Sequence, residues 1–292
     1  MNAAKKLKDL RAEKKTVLLP GAFDCWSAKI IQNMKFDGLY LTGFGAEYSM
    51  LGKPDMGFTQ ATEIADLCGR MYDATGLPIV VDADVGWGET LSVQRTIQLL
   101  EKAGAAGCHI EDQSMPMKCA GMPGLKYVSE KVMVSKIKAA VDARKDDNFL
   151  IIGRSDVFAM RKDYNEVLDR LYAYQEAGSD MLIAGGSFSL EQFADMGEKF
   201  PYLTCINAGL YPFENYDTPV KTWYDMKIGL LFYPLANLMA SGKAMQNVLK
   251  ALINGGLSKE FCDKNLIGMK DLNEIVDFEL YMEKEKKFSA ER

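Results

Sequence analysis

An α/β fold of the (β/α)8 barrel type is what this 292-residue chain predicts, on three observations. Apolar runs of strand length recur eight times with amphipathic segments between them. Several runs are continuous rather than alternating, as expected of parallel strands covered on both faces. Helix-ending phrases such as Ala103-Gly104-Ala105-Ala106-Gly107 and Glu176-Ala177-Gly178-Ser179-Asp180 lead directly into the next run.

In chain order the predicted strands are Val17–Gly21, Gly38–Thr42, Pro78–Asp82, Gly107–Glu111, Phe149–Gly153, Asp180–Ala184, Leu203–Asn207 and Ile228–Phe232. Thr90–Ala103 and Glu166–Ala177 are amphipathic helices between them, the second closed by Gly178. An open doubly wound sheet is the rival. Its phosphate-binding fingerprint is missing, because Thr42-Gly43-Phe44-Gly45 has two glycines and no third in register. After the eighth strand come further helices, about Asn237–Gly255, Ser258–Phe261 and Lys270–Lys287. The reading is one barrel domain over 1–292 with a helical extension over 237–292.

Composition bounds the function. The formal net charge is -5 and no long basic block occurs, which argues against a nucleic-acid partner. No run of eighteen apolar residues exists, so no membrane-spanning helix is expected, and Met1–Thr16 is unlike a signal peptide. The six cysteines are scattered without paired or zinc-type spacing, as suits reduced thiols in a cytoplasmic protein.

The chemistry sits at strand ends, where barrels of this type place their active sites. Asp82 and Asp84 end the third strand, and two positions apart on extended chain they should face one way. Glu111 ends the fourth strand, Arg154 the fifth, and Asp55 follows the second. Four gathered carboxylates repel one another and resist desolvation unless a cation compensates. Oxygen ligands with few nitrogens suit Mg²⁺ or Mn²⁺, and Mg²⁺ keeps much of its water. Arg154 offers a planar fork for a carboxylate. His109 is the single histidine and reads as a hydrogen-bonded core group, which leaves little room for a serine or cysteine triad. After Glu111 runs a long loop, Gln113–Gly124, with Lys118 beside Cys119. Such a loop can close over substrate, and a thiol beside a lysine can act as acid or base.

These motifs together resemble the isocitrate lyase and phosphoenolpyruvate mutase superfamily, from Pro20-Gly-Ala-Phe-Asp24 to Tyr233-Pro-Leu235. The match rests on Tyr40-Leu-Thr-Gly43, Leu51-Gly-Lys-Pro-Asp55, Val81-Asp-Ala-Asp-Val-Gly-Trp-Gly88, His109-Ile-Glu-Asp-Gln113 and Gly153-Arg-Ser-Asp156. The resemblance implies Mg²⁺ held chiefly by Asp82, with Asp55, Asp84 and Glu111 acting largely through water. It implies that Thr42, Gly43 and Phe44 bind an oxo-acid carboxylate, and that terminal helices swap between subunits, usually in a homotetramer. Lyases of the superfamily carry Lys-Lys/Arg-Cys-Gly-His on the gating loop, and the corresponding stretch here is Met117-Lys118-Cys119-Ala120-Gly121. The cysteine is present; the histidine is not. Where methylisocitrate lyases show Asn-x-x-Glu, Asn207 here leads to Leu210.

The expectation is a Mg²⁺-dependent carbon–carbon lyase acting on a small 2-hydroxy di- or tricarboxylate of the 2-methylisocitrate or dimethylmalate type. Cys119 would protonate the fragment released, Arg154 would steady its charge, Tyr40 or a metal-ordered group would serve as base, and Asn207 would touch substrate. The alternative is phosphonate chemistry, as a mutase or phosphonopyruvate-type hydrolase.

Overall fold

The computed structural model describes residues 2–212 and 215–289, and the chain divides into two compact units, Met1–Asn237 and Leu238–Arg292. The first unit is a closed barrel of eight parallel strands, each paired with its sequence neighbours and the last with the first. The strands are β1 (Val17–Ala22), β2 (Leu39–Leu41), β3 (Ile79–Asp82), β4 (Gly107–Glu111), β5 (Leu150–Ser155), β6 (Met181–Ala184), β7 (Thr204–Asn207) and β8 (Leu230–Tyr233). This is the (β/α)8, or TIM, barrel expected. Every predicted strand is present, displaced by at most two residues at an end, as terminal pairing dictates.

Side-chain alternation sorts each strand into an outward and an inward set. Leu39, Leu41, Ile79, Val81, Cys108, Ile110, Ile151, Leu182, Ile206 and Leu231 belong to the larger buried cluster, shared with helix residues such as Ile64, Ile97, Ile137 and Leu171. Leu19, Tyr40, Val80, Ile152, Ile183, Cys205 and Phe232 form the second cluster, which fills the barrel. Full burial of such a side chain is worth about 1.5–3 kcal/mol, so both faces of the sheet hold the barrel closed. The inward set explains the site. Counting by two from Val80 gives Asp82, from Ile152 gives Arg154, and from Cys205 gives Asn207.

Below the site the barrel is plugged. Tyr40 stacks on Phe232 with ring centroids 4.5 Å apart and lies 5.8 Å from the His109 ring. At the other end, the helix Ala3–Lys14 is capped by the Asn2 side chain, and its Ala3 and Leu7 join the interior cluster. On the outer face Gly153 has no room for a side chain. An added Cβ would stand 2.8 Å from the Ser179 hydroxyl and 3.1 Å from Tyr174 Cβ, so β5 and the helix Tyr164–Glu176 approach closely there.

The second unit holds the helices Lys259–Asn265, Met269–Ile275 and Phe278–Phe288 and most of Ala236–Ile253. Among its described residues only Ile275 is a buried hydrophobic, while Leu249, Leu252, Ile253, Met269, Phe278 and Tyr281 are exposed. No described helix is long and apolar enough to cross a membrane.

Candidate active site

At the C-terminal end of the strands a cavity of about 330 Å³ is lined by Tyr40, Thr42, Phe44, Asp55, Asp82, Glu111, Lys118, Cys119, Arg154 and Asn207, among others. Its size suits a small ligand. Of the residues singled out in the sequence only Gly43 and Asp84 lie behind this lining.

The acids converge, but Asp82 and Asp84 do so differently from the extended chain expected. Asp82 is the last residue of β3, and Asp84 has φ 45°, a left-handed turn. The turn folds the Asp84 amide back onto Asp82 Oδ1 at 3.2 Å, while the Asp84 carbonyl accepts from the Glu111 amide at 2.8 Å. Gly43 records how close the two carboxylates come. A Cβ there would sit 3.1 Å from both Asp82 Oδ2 and Asp84 Oδ1. The Gly43 amide faces Asp82 Oδ2 at 3.4 Å, and Thr42 Oγ1 accepts from the Gly45 amide, capping the short turn Gly43–Ala46. Phe44 stacks on Tyr48.

Burial together with neighbouring carboxylates pushes Glu111 and Asp84 well above the usual carboxylate range, and Asp55 up to about 7. Asp82 is the exception. Burial opposes its ionisation, yet the Arg154 charge and the hydrogen bonds from the Asp84 amide and the Tyr40 hydroxyl, with the His109 ring behind that hydroxyl, hold it low. Glu111 Oε1 is buried with no hydrogen-bond partner. An ionised acid, a waiting carboxylate oxygen and mutually repelling neighbours fit a divalent, oxygen-seeking cation. Among the described residues no group of three such side chains is close enough to hold a metal ion by itself.

Tyr40 is engaged on two sides. Its hydroxyl donates to Asp82 Oδ2 at 3.1 Å and lies 2.8 Å from His109 Nε2, and burial raises its pKa far out of range. Because that hydroxyl donates to Asp82, His109 must donate to it through Nε2, leaving Nδ1 unprotonated and unpartnered. Burial also lowers the His109 pKa to about 4, so the ring is neutral. The pair orients Asp82.

Arg154 is less free than expected. Its Nε and Nη2 fork onto Asp156 at 2.8 and 3.0 Å, and Nη1 faces Glu111 at 3.2 Å. The bidentate edge is spent on Asp156, so a ligand meets the remaining N–H groups. Asp156 is held in turn by its own amide, which donates to Asp112 Oδ1 at 2.9 Å. Asp112 also accepts from Ser155, Arg170 and Tyr174.

The long loop covers the site from Gln113 to Tyr127, which form a short antiparallel bridge. Cys119 lines the cavity, and burial pushes its thiol up, so it stays protonated. Lys118 does not activate that thiol as its adjacency suggested. Its Nζ donates to the Pro123 carbonyl at 3.3 Å. Asn207 Oδ1 is buried without a partner, and Tyr211, an exposed residue, stacks edge-on against Tyr216.

Sequence reasoning missed Glu47, Asp112 and the bracing role of Gln113, and also the turn Gly185–Phe188 that completes the cavity wall. Gln113 carried a usable signal, since it lies two positions beyond Glu111 on nearly continuous chain. Glu47 carried none, because its loop partners are set by a five-residue π-helical turn, Glu47–Leu51.

Comparison with known proteins agrees with this geometry. The chain is 35% identical over its whole length, and over all of the relative, to a protein named 2,3-dimethylmalate lyase from Eubacterium barkeri. It is 33% identical to a protein named 2-methylisocitrate lyase from Shewanella oneidensis, covering 90% of this chain and 89% of the relative. Among solved structures, oxaloacetate acetylhydrolase in complex with 3,3-difluorooxalacetate superposes with a TM-score of 0.89 at 26% identity, over 98% of this chain and 97% of that one. The phosphoenolpyruvate phosphomutase family matches residues 7–253. The chain therefore belongs to the phosphoenolpyruvate phosphomutase family, within the isocitrate lyase and phosphoenolpyruvate mutase superfamily.

Proposed function

We propose that this chain is a Mg²⁺-dependent carbon–carbon lyase that cleaves a small 2-hydroxy dicarboxylate to a 2-oxo acid and a carboxylic acid, with Mn²⁺ as a substitute ion. The observation that carries the reading is Cys119. Its protonated thiol shares one small cavity with Asp82, Glu111 and Arg154.

Asp82 would hold the ion, and Asp55, Asp84 and Glu111 would support it, largely through water. Bound there, the ion would polarise the oxygen at C2 and orient the hydroxy-acid end of the substrate. The turn after β2, with Thr42, Gly43 and Phe44, receives the substrate carboxylate. The hydroxyl proton passes to the carboxylate cluster, while Tyr40 keeps Asp82 oriented. Arg154 places positive charge beside the carboxylate fragment as its carbanion develops. Cys119 donates its proton to that carbon. Phe188, Phe193, Leu210 and Leu235 line much of the remaining cavity, with Asn207 as an amide among them. Such a wall favours a dicarboxylate bearing small alkyl groups over a tricarboxylate.

The test is a turnover panel of 2-hydroxy di- and tricarboxylates, with and without Mg²⁺, read as 2-oxo acid formed. Alkyl-substituted malates are expected to turn over only with the ion. Turnover of phosphonopyruvate, read by phosphorus NMR, with none of the hydroxy acids cleaved, would replace this reading by the phosphonate one.

We also infer that the helices beyond Asn237 belong to a homotetramer, packing on a neighbouring subunit. The support is their exposed apolar set, including Leu249, Leu252, Ile253 and Phe278, and the size of such a surface in an otherwise ordinary globular chain. Sedimentation equilibrium should give four chains; a monomer would end the inference. A cytoplasmic location completes the proposal, and all six cysteines are unpaired thiols, as that requires.

A further inference from the structure

Two buried polar side chains that the chemistry above does not use fasten the covering loop around Cys119, one directly and one through the loop after β2. Gln113, 1% exposed, brackets a single residue of that loop. Its Oε1 accepts from the Lys118 amide at 3.1 Å, and its Nε2 donates to the Lys118 carbonyl at 2.9 Å. The same Nε2 donates to Asp156 Oδ2 at 2.8 Å, and Asp156 is the carboxylate gripped by Arg154. One amide therefore ties the backbone next to Cys119 to the guanidinium of the site.

The second tie comes through the loop after β2. The Cys119 amide donates to the Asp55 carbonyl at 3.1 Å. Residues 52–59 are themselves pinned by Glu47, also 1% exposed. Its Oε2 accepts from the Met56 amide at 2.9 Å and its Oε1 from the Thr59 amide at 2.9 Å. The Thr59 carbonyl accepts from Trp87 Nε1 at 2.8 Å, fastening the same segment to the turn that follows Asp84. The two loops also pack tightly. A Cβ on Gly57, whose φ is +73°, would stand 3.2 Å from Met117 Cγ.

We propose that Gln113 and Glu47 are positioning residues that seat the Cys119 thiol over the acidic cluster, Gln113 by bracketing Lys118 and Glu47 by fixing the Asp55 carbonyl on which Cys119 docks. A buried carboxylate satisfied by backbone N–H groups of one loop is an expensive way to pack surface chain. It is explained by a loop whose placement matters. Loss of either tie frees the loop, and because Gln113 also holds Asp156, the partner of Arg154, the readout is taken at the Cys119 thiol and not from turnover. The catalytic meaning of this seat rests on the lyase reading; the seat itself does not.

The experiment is alkylation of the whole chain by iodoacetamide, followed cysteine by cysteine by peptide mass spectrometry. Gln113→Leu and Glu47→Gln are compared with the unsubstituted protein. Cys25 and Cys262 are half-exposed references, and Cys68 and Cys108 are buried sentinels of unfolding. Loss of one or two hydrogen bonds to the loop should speed Cys119 alkylation about tenfold in each variant, with the rates at the other five cysteines unchanged. An unchanged Cys119 rate in a folded variant overturns the proposal. So does acceleration at Cys68 and Cys108 alongside Cys119 in both variants, which would mean these residues only hold the fold. If one variant does not fold, the other decides. Turnover is not needed for this readout, so an inactive unsubstituted protein counts against the lyase reading alone.

Discussion

Replacing Cys119 by serine is expected to lower turnover by roughly 10²–10⁴-fold and to leave the melting temperature almost unchanged. The size follows from the role. A positioned general acid contributes about that factor, and a serine hydroxyl is a far weaker acid than a thiol. The thiol is not a packing residue in the interior, since it lines the cavity on a loop rather than a barrel strand. It accepts no proton to begin with, because burial keeps it in the neutral form the role requires. Substrate binding should survive, so kcat falls while KM moves little. A Cys119→Ser protein with unimpaired kcat would remove the thiol from the mechanism.

Asp82→Asn is expected to have the other large effect, with kcat/KM falling by at least about 10³-fold, since it removes the acid of the cluster whose surroundings favour the ionised form. Its neighbours cannot take over. Burial and nearby carboxylates, Asp82 for both, push Glu111 and Asp84 well above the usual carboxylate range, whereas Asp82 is held low. Asparagine preserves the shape, and its amide oxygen can still accept from the Asp84 amide. The defect should therefore appear as lost Mg²⁺ response rather than lost folding: melting temperature unchanged without the ion, and no stabilisation when Mg²⁺ and oxalate are added together. Retained Mg²⁺-dependent turnover would show that another residue holds the ion.

Most of the barrel and much of its site were legible in the sequence, for a physical reason. Strands buried on both faces must be apolar throughout, so Ile79-Val80-Val81 or Leu150-Ile151-Ile152 announces itself, and the first charge after such a run marks the rim. Asp82, Glu111 and Arg154 were found that way. What sequence spacing could not supply was direction. Asp84 reaches the cluster through a left-handed turn that the extended-chain argument does not anticipate. The Arg154 fork is largely taken by Asp156, two positions on and just past the end of β5, and the Tyr40 hydroxyl donates to Asp82. Lys118 and Cys119 are adjacent in sequence, yet the ammonium turns to Pro123. Glu47 was invisible because its partners depend on how two loops fold over each other, not on any periodic pattern.

The central claim is that these acids, with a hydrated divalent ion, form a chelation site for an oxo acid at the barrel mouth. Calorimetric titration of the unsubstituted protein with oxalate, run with and without Mg²⁺, tests it most directly. One oxalate per chain is expected with the ion present, and no measurable binding after the ion is chelated away. Equal oxalate affinity in both titrations, or none in either, would contradict it.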